Sequence, residues 1–137
     1  MNLYLDVDGV ILTSSKSDGR KTLASGVEPF IDYILEHYRC YWLTTHCHGD
    51  VQNVLSYLQP FCSSSLMSKL EKLRPTSFQT FKTEAIDFSQ PFLWFDDYAF
   101  SHEIEVLKKN GCLSSWYKVN TDQDEDALVK FLDQIRV

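Results

Sequence analysis

Three apolar runs in this chain carry carboxylates or a hydroxyl at their carboxyl ends, and this constrains the fold more than any other feature. Asn2–Val7, Cys40–Leu43 and Pro91–Phe95 read as buried strands. The first holds Asp6 and leads into Asp8, the second stops at Thr44, and the third stops at Asp96 and Asp97. Helical spacing lies between and after them. Val27–Tyr38 places Phe30, Ile31, Ile34 and Leu35 on one face, and Asp50 is placed to cap a helix carrying Val51, Val54, Leu55 and Leu58. Ser101–Asn110 reads as a helix stopped by Gly111, and Asp124–Arg136 as a closing helix after a last strand at Ser115–Val119. This alternation predicts an α/β fold with a mainly parallel sheet of about five strands. The remaining strand falls somewhere in Phe61–Ser77, where the pattern does not place it. Asp18-Gly19 marks a hairpin turn, so Ile11–Gly26 predicts a short β-flap above the first strand.

In a parallel sheet, ligands bind beyond the carboxyl ends of the strands. Asp6, Asp8, Thr44, Asp96 and Asp97 therefore converge on one edge. Lys82, at the start of a helical turn within Ser77–Ile86, reaches the same edge. Asp6-Val7-Asp8-Gly9-Val10 is the most informative stretch. Two carboxylates so close are unfavourable unless a cation sits between them or one keeps its proton, and Gly9 lets the backbone turn and a ligand come near. Both conditions suit Mg²⁺-assisted phosphoryl transfer. Each residue alone has a plainer explanation: a solvated Asp-rich turn, a surface lysine, a strand-end threonine. Their joint occurrence, in order and each at a strand end or helix start, favours a shared site.

A chain of 137 residues with 44% hydrophobic content makes one domain, 1–137, able to bury a core. A net charge of −6 argues against a general nucleic-acid-binding surface. Cys40, Cys47, Cys62 and Cys112 form no Cys-x-x-Cys pair, which predicts free thiols and a reducing, cytoplasmic setting. The strand-like, acidic opening does not resemble a signal peptide, and no apolar run reaches the ~18 residues of a membrane helix. His46-Cys47-His48 is a poor zinc set, because adjacent residues rarely face one ion. His46 falls on the loop after Thr44, near the site, and His102 reads as structural.

The order Asp-Val-Asp-Gly-Val, then Tyr41-Trp42-Leu43-Thr44, then Lys82, then Phe92-Leu93-Trp94-Phe95-Asp96-Asp97 resembles the haloacid dehalogenase (HAD) superfamily. The resemblance runs from Leu3 to the last helix. For the lysine, Lys69 and Lys72 compete with Lys82. The resemblance implies a Rossmann-like three-layer sandwich and a phosphatase working through an aspartyl-phosphate. Asp6 is then the nucleophile and Asp8 the general acid and base. Mg²⁺ is held by Asp6, the Asp8 carbonyl, Asp96 and Asp97, an oxygen-only set that suits this ion. Thr44 binds a phosphoryl oxygen and Lys82 neutralises charge. With Asp8 protonated, the three remaining carboxylates carry −3 against +3 from Mg²⁺ and Lys82, so a phosphate can enter.

Superfamily members often insert a cap domain in one of two intervals. Here those are Ile11–Gly26 and Thr45–Phe81, and neither has room for one. The chain resembles capless members, whose open sites suit large phosphorylated substrates such as proteins or nucleic-acid ends. It also looks like a subgroup of small stand-alone domains whose relatives occur beside nucleic-acid repair functions. Lys16, Arg20 and Lys21 on the flap are candidate contacts to an anionic substrate. Two alternatives stay open: a catalytically silent HAD-like scaffold, and a phospho-receiver signalling domain, whose phosphoacceptor would need an Asp on a middle strand. Oligomeric state is not readable.

Overall fold

A computed structural model describes residues 1–135. The expected close of the last helix at Arg136 lies outside them. Four parallel strands form the main sheet: β1 (Asn2–Leu5), β4 (Arg39–Trp42), β5 (Phe92–Asp96) and β6 (Trp116–Lys118), in the order β4-β1-β5-β6. β2 (Leu12–Ser14) and β3 (Lys21–Leu23) pair antiparallel as the flap, turning through Gly19 at φ +70°. The helices are α1 (Val27–His37), α2 (Val51–Leu58), α3 (Ser64–Leu70), α4 (Ser101–Lys109) and α5 (Ala127–Ile135).

Period-two alternation divides the strand side chains between two cores. Leu3, Leu5, Trp42 and Phe95 face one side with Phe30 of α1, Leu58 of α2, Leu70 of α3 and Phe131 of α5. Tyr4, Phe92 and Trp94 face the other with Ile86 and with Leu107 of α4. The sheet is thus covered on both faces, which is why its strands are almost wholly apolar. No helix among the described residues is long and apolar enough to cross a membrane.

The sheet has four strands, not five. The fifth is reduced to one residue, Arg74, which bridges β4: its N–H donates to the Cys40 carbonyl (2.9 Å), and its carbonyl accepts the Trp42 N–H (2.8 Å). Pro75 follows at once, lacks the next N–H and cannot extend a ladder. Elsewhere the local signals hold. The Asp50 carboxylate accepts the Gln52 N–H and caps α2, and Gly111 takes φ +67° past the end of α4.

Candidate active site

The strand ladders run on beyond β1 and carry Asp6 to the middle of the carboxyl edge. The Asp6 N–H donates to the Phe95 carbonyl (3.0 Å), and the Leu43 N–H to the Leu5 carbonyl (2.8 Å). Asp6 and Asp96 are buried, 7% and 1% exposed. A lone buried carboxylate pair is untenable, and Lys82 answers it. Its ammonium lies 3.2 Å from Asp6 Oδ1 and 2.5 Å from Asp96 Oδ2. Asp96 also accepts from the Trp94 indole (3.1 Å) and the Tyr98 N–H (3.3 Å). Burial raises the Asp96 carboxyl to about 9, with Asp6's charge adding and Lys82 opposing. Burial raises Asp6 too, against Lys82 and the Val7 N–H. Lys82 is raised because attraction to Asp6 and Asp96 outweighs its own desolvation.

Asp97 joins them. Asp6, Asp96 and Asp97 each offer an oxygen within 4.8 Å of the others. Three carboxylates around one lysine leave uncompensated negative charge and present oxygen donors only. This donor set fits Mg²⁺. Gly9, at φ +79°, lets the Asp97 carboxylate come close, and a Cβ there would collide with it.

The Asp8 side chain stands apart from this cluster. Its Oδ1 accepts from Lys21 Nζ (2.7 Å) and from the Tyr57 hydroxyl (2.8 Å), and its Oδ2 lies 2.8 Å from His46 Nε2. The His46 and Tyr57 rings stack with centroids 3.8 Å apart. Burial opposes ionisation of Asp8, but the hydrogen bonds from Lys21, His46 and Tyr57 outweigh it and hold the carboxyl below its ordinary value. The hydrogen bond to Asp8 in turn pushes Lys21 above its usual range. This corrects the expected resting state: Asp8 is ionised, not protonated. The Asp8 carboxylate and the Lys21 ammonium offset each other's charge.

Lys21 therefore binds Asp8 and ties the flap to α2, while Arg20 faces Asp18 and is largely exposed. The base of the flap is pinned as well: Thr13 Oγ1 donates to the Thr121 carbonyl (2.8 Å), and the Ser14 N–H to Asp122 (2.6 Å). Thr44 is buried and its Oγ1 accepts the His46 N–H (3.3 Å), which leaves its own proton to donate. Lys69 pairs with Glu28 and Asp32 on α1, and it is Lys82 that meets Asp6. Cys47 is fully buried, and no Cys/His metal cluster forms among the described residues.

Glu103 was not singled out by the sequence. It is 2% exposed, and its carboxylate accepts the Lys82 N–H (2.8 Å) and the Phe100 N–H (2.8 Å). One buried side chain thus fixes the backbone on which Lys82 stands. A glutamate three residues past a helix start is the available signal, but it reads as ordinary capping.

Two surface hollows of about 600 and 650 Å³ lie at the opposite, amino-terminal edge of the strands, where Arg39 lines both, and none of the acids lines either. The acid cluster is not at the bottom of either hollow. Comparison with protein-family models, with curated proteins and with solved structures finds no match.

Proposed function

We propose that this chain is a Mg²⁺-dependent phosphomonoester hydrolase that works through an aspartyl-phosphate on Asp6. The observation that carries this reading is the placement of Lys82 between Asp6 and Asp96, with Asp97 completing three oxygens at the carboxyl edge of a parallel sheet. Asp6, Asp96 and Asp97 would hold the ion, which when bound supplies positive charge to the phosphoryl oxygens.

Asp6 attacks phosphorus through a carboxylate oxygen, and the ester oxygen leaves with the bonding pair and a proton from Asp8. Water then gives a proton to Asp8 and attacks the same phosphorus, releasing phosphate and restoring Asp6. Lys82 and the Thr44 hydroxyl stabilise charge on the transferring group. Because Asp8 rests ionised, a proton must reach it before the first step. His46 Nε2, 2.8 Å from Asp8 Oδ2, is the route this reading assigns. Lys21 and Tyr57 favour the ionised Asp8, so they support its role as base in the second step.

Phosphate release from p-nitrophenyl phosphate, with Mg²⁺ and with chelator, in the wild type and in Asp6→Asn, tests this. Turnover that needs the metal and is lost in the variant supports the reading. Turnover that survives Asp6→Asn removes the nucleophile and the mechanism with it. Metal binding with no turnover of any ester points to a scaffold.

A further inference from the structure

Tyr98 and Phe100 are 58% and 55% exposed, unusual for rings that size, and their backbones are tied to the acid cluster and to Lys82. Tyr98 directly follows Asp97, and its N–H is held by Asp96. The two rings meet edge to face at 5.1 Å, Phe100 meets Phe81 at 6.3 Å, and Phe81 stacks on His102 at 4.3 Å. Phe81 directly precedes Lys82. Two separate chain segments thus supply the rings, and the buried Glu103 carboxylate ties the backbones of Phe100 and Lys82 together. The apolar surface is clamped to the same support as the site lysine.

We propose that Tyr98 and Phe100, backed by Phe81, form a stacking platform for the base of a nucleoside phosphate whose phosphate is held at Asp6. The inference rests on the phosphatase reading above. Stacking on exposed aromatic rings suits every base, because each has a π-face. Position selects a nucleotide over an aryl phosphate. In an aryl ester the ring adjoins the ester oxygen and would lie among the carboxylates. In a nucleotide the sugar intervenes and places the base outside them, toward the segment after Asp97 that carries the two rings. The net charge of −6 does not suit tracking a long phosphate backbone, so the ligand is a mononucleotide or the terminal nucleotide of a chain.

The test compares kcat/KM for adenosine 5′-phosphate and for glycerol phosphate in the wild type and in the doubly substituted Tyr98→Ser, Phe100→Ser protein. Wild type is expected to favour the nucleotide by about tenfold or more, equivalent to about 1.4 kcal/mol. The double variant loses that preference with glycerol phosphate turnover unchanged. Equal use of both esters by the wild type, or a preference that survives the double substitution, overturns the platform while leaving the phosphatase reading intact. Calorimetric binding of adenosine 5′-phosphate to both proteins does not depend on turnover. Binding lost in the variant, with no ester cleaved by either protein, keeps the platform and removes the phosphatase. A 5′-phosphorylated oligonucleotide run alongside names the source: preference for it over the mononucleotide indicates a nucleic-acid end, and the reverse a free nucleotide.

Discussion

Asp6 and Asp8 stand two residues apart and live in opposite surroundings. Asp6 lies on the floor of the site, made from the ends of β1 and β5 and from Lys82, buried, with its carboxyl raised by burial. Asp8 lies on the rim, made from the flap, the loop after β4 and α2, with 41% of its side chain exposed and its carboxyl lowered by three hydrogen-bond donors. The floor brings carboxyls together where water cannot screen them, so beside Lys82 either Asp96 keeps its proton or a further cation joins them. The rim offers more donors than Asp8 needs and keeps water within reach. The same residue type is thereby driven in two directions.

The contrast breaks most sharply at Asp6. Asp6→Asn is expected to lower turnover at least about a thousandfold, while urea denaturation without metal shows stability kept, because Asp96, freed of Asp6's charge, can ionise beside Lys82. Lys82→Met has the reverse profile for folding. It leaves Asp6 and Asp96 facing each other and is expected to cost about 3 kcal/mol in chelator, with Mg²⁺ restoring part of the loss. A variant that is fully stable in chelator would mean the floor carries less charge than described.

The floor also fixes the sign of a pH effect. With Asp96 raised to about 9, the metal-free folded state keeps a proton that the unfolded state releases above the ordinary carboxylate value. The Asp96 contribution to stability is therefore fully present below that value and declines as pH rises toward about 9. Thermal melts should fall between about pH 5 and about pH 8, and Mg²⁺ should flatten the slope. Glu103→Gln comes next. It weakens two charge-assisted bonds and is expected to cost about 1–2 kcal/mol. It should lower kcat more than KM for p-nitrophenyl phosphate, because Glu103 positions Lys82 without touching substrate.

The smallest effect on folding belongs to the rim. Lys21→Met is expected to cost under about 1 kcal/mol, as for other half-exposed pairs. The ionised Asp8 contributes stability above the ordinary carboxylate value and loses it as pH falls through its depressed folded value; the variant lacks that contribution. Its informative readout is the pH–rate profile, whose acid limb should move to higher pH as Asp8 regains a more ordinary carboxyl. An unmoved profile would separate Asp8 from the rate-determining proton transfer.

The floor was more legible in the sequence than the rim. Asp6, Asp96 and Asp97 end apolar runs, so any parallel sheet built from those runs gathers them. Lys82 needed only one more assumption, a short helical turn before β5. The rim has no such logic. Lys21, His46 and Tyr57 come from three elements, and Lys21 reads in the sequence as a solvated flap residue or a candidate substrate contact, not as a partner of Asp8. Glu103 acts on Lys82 through backbone N–H groups, and no pattern of side chains announces that. The missing fifth strand has a local cause in Pro75, but that Arg74 would still bridge β4 depended on where α3 delivered the chain.

Strand, helix and turn preferences act over a few residues, so the order of neighbours was enough to determine a parallel α/β sheet, the flap turn at Asp18-Gly19 and the placing of the acids at one edge. Charge state and partnership are different. They depend on burial and on which distant donors arrive within about 3 Å of an oxygen. Only the packed structure decided that Asp8 rests ionised under Lys21, His46 and Tyr57, that Lys82 lies between Asp6 and Asp96, and that Glu103 holds Lys82 and Phe100 on one carboxylate.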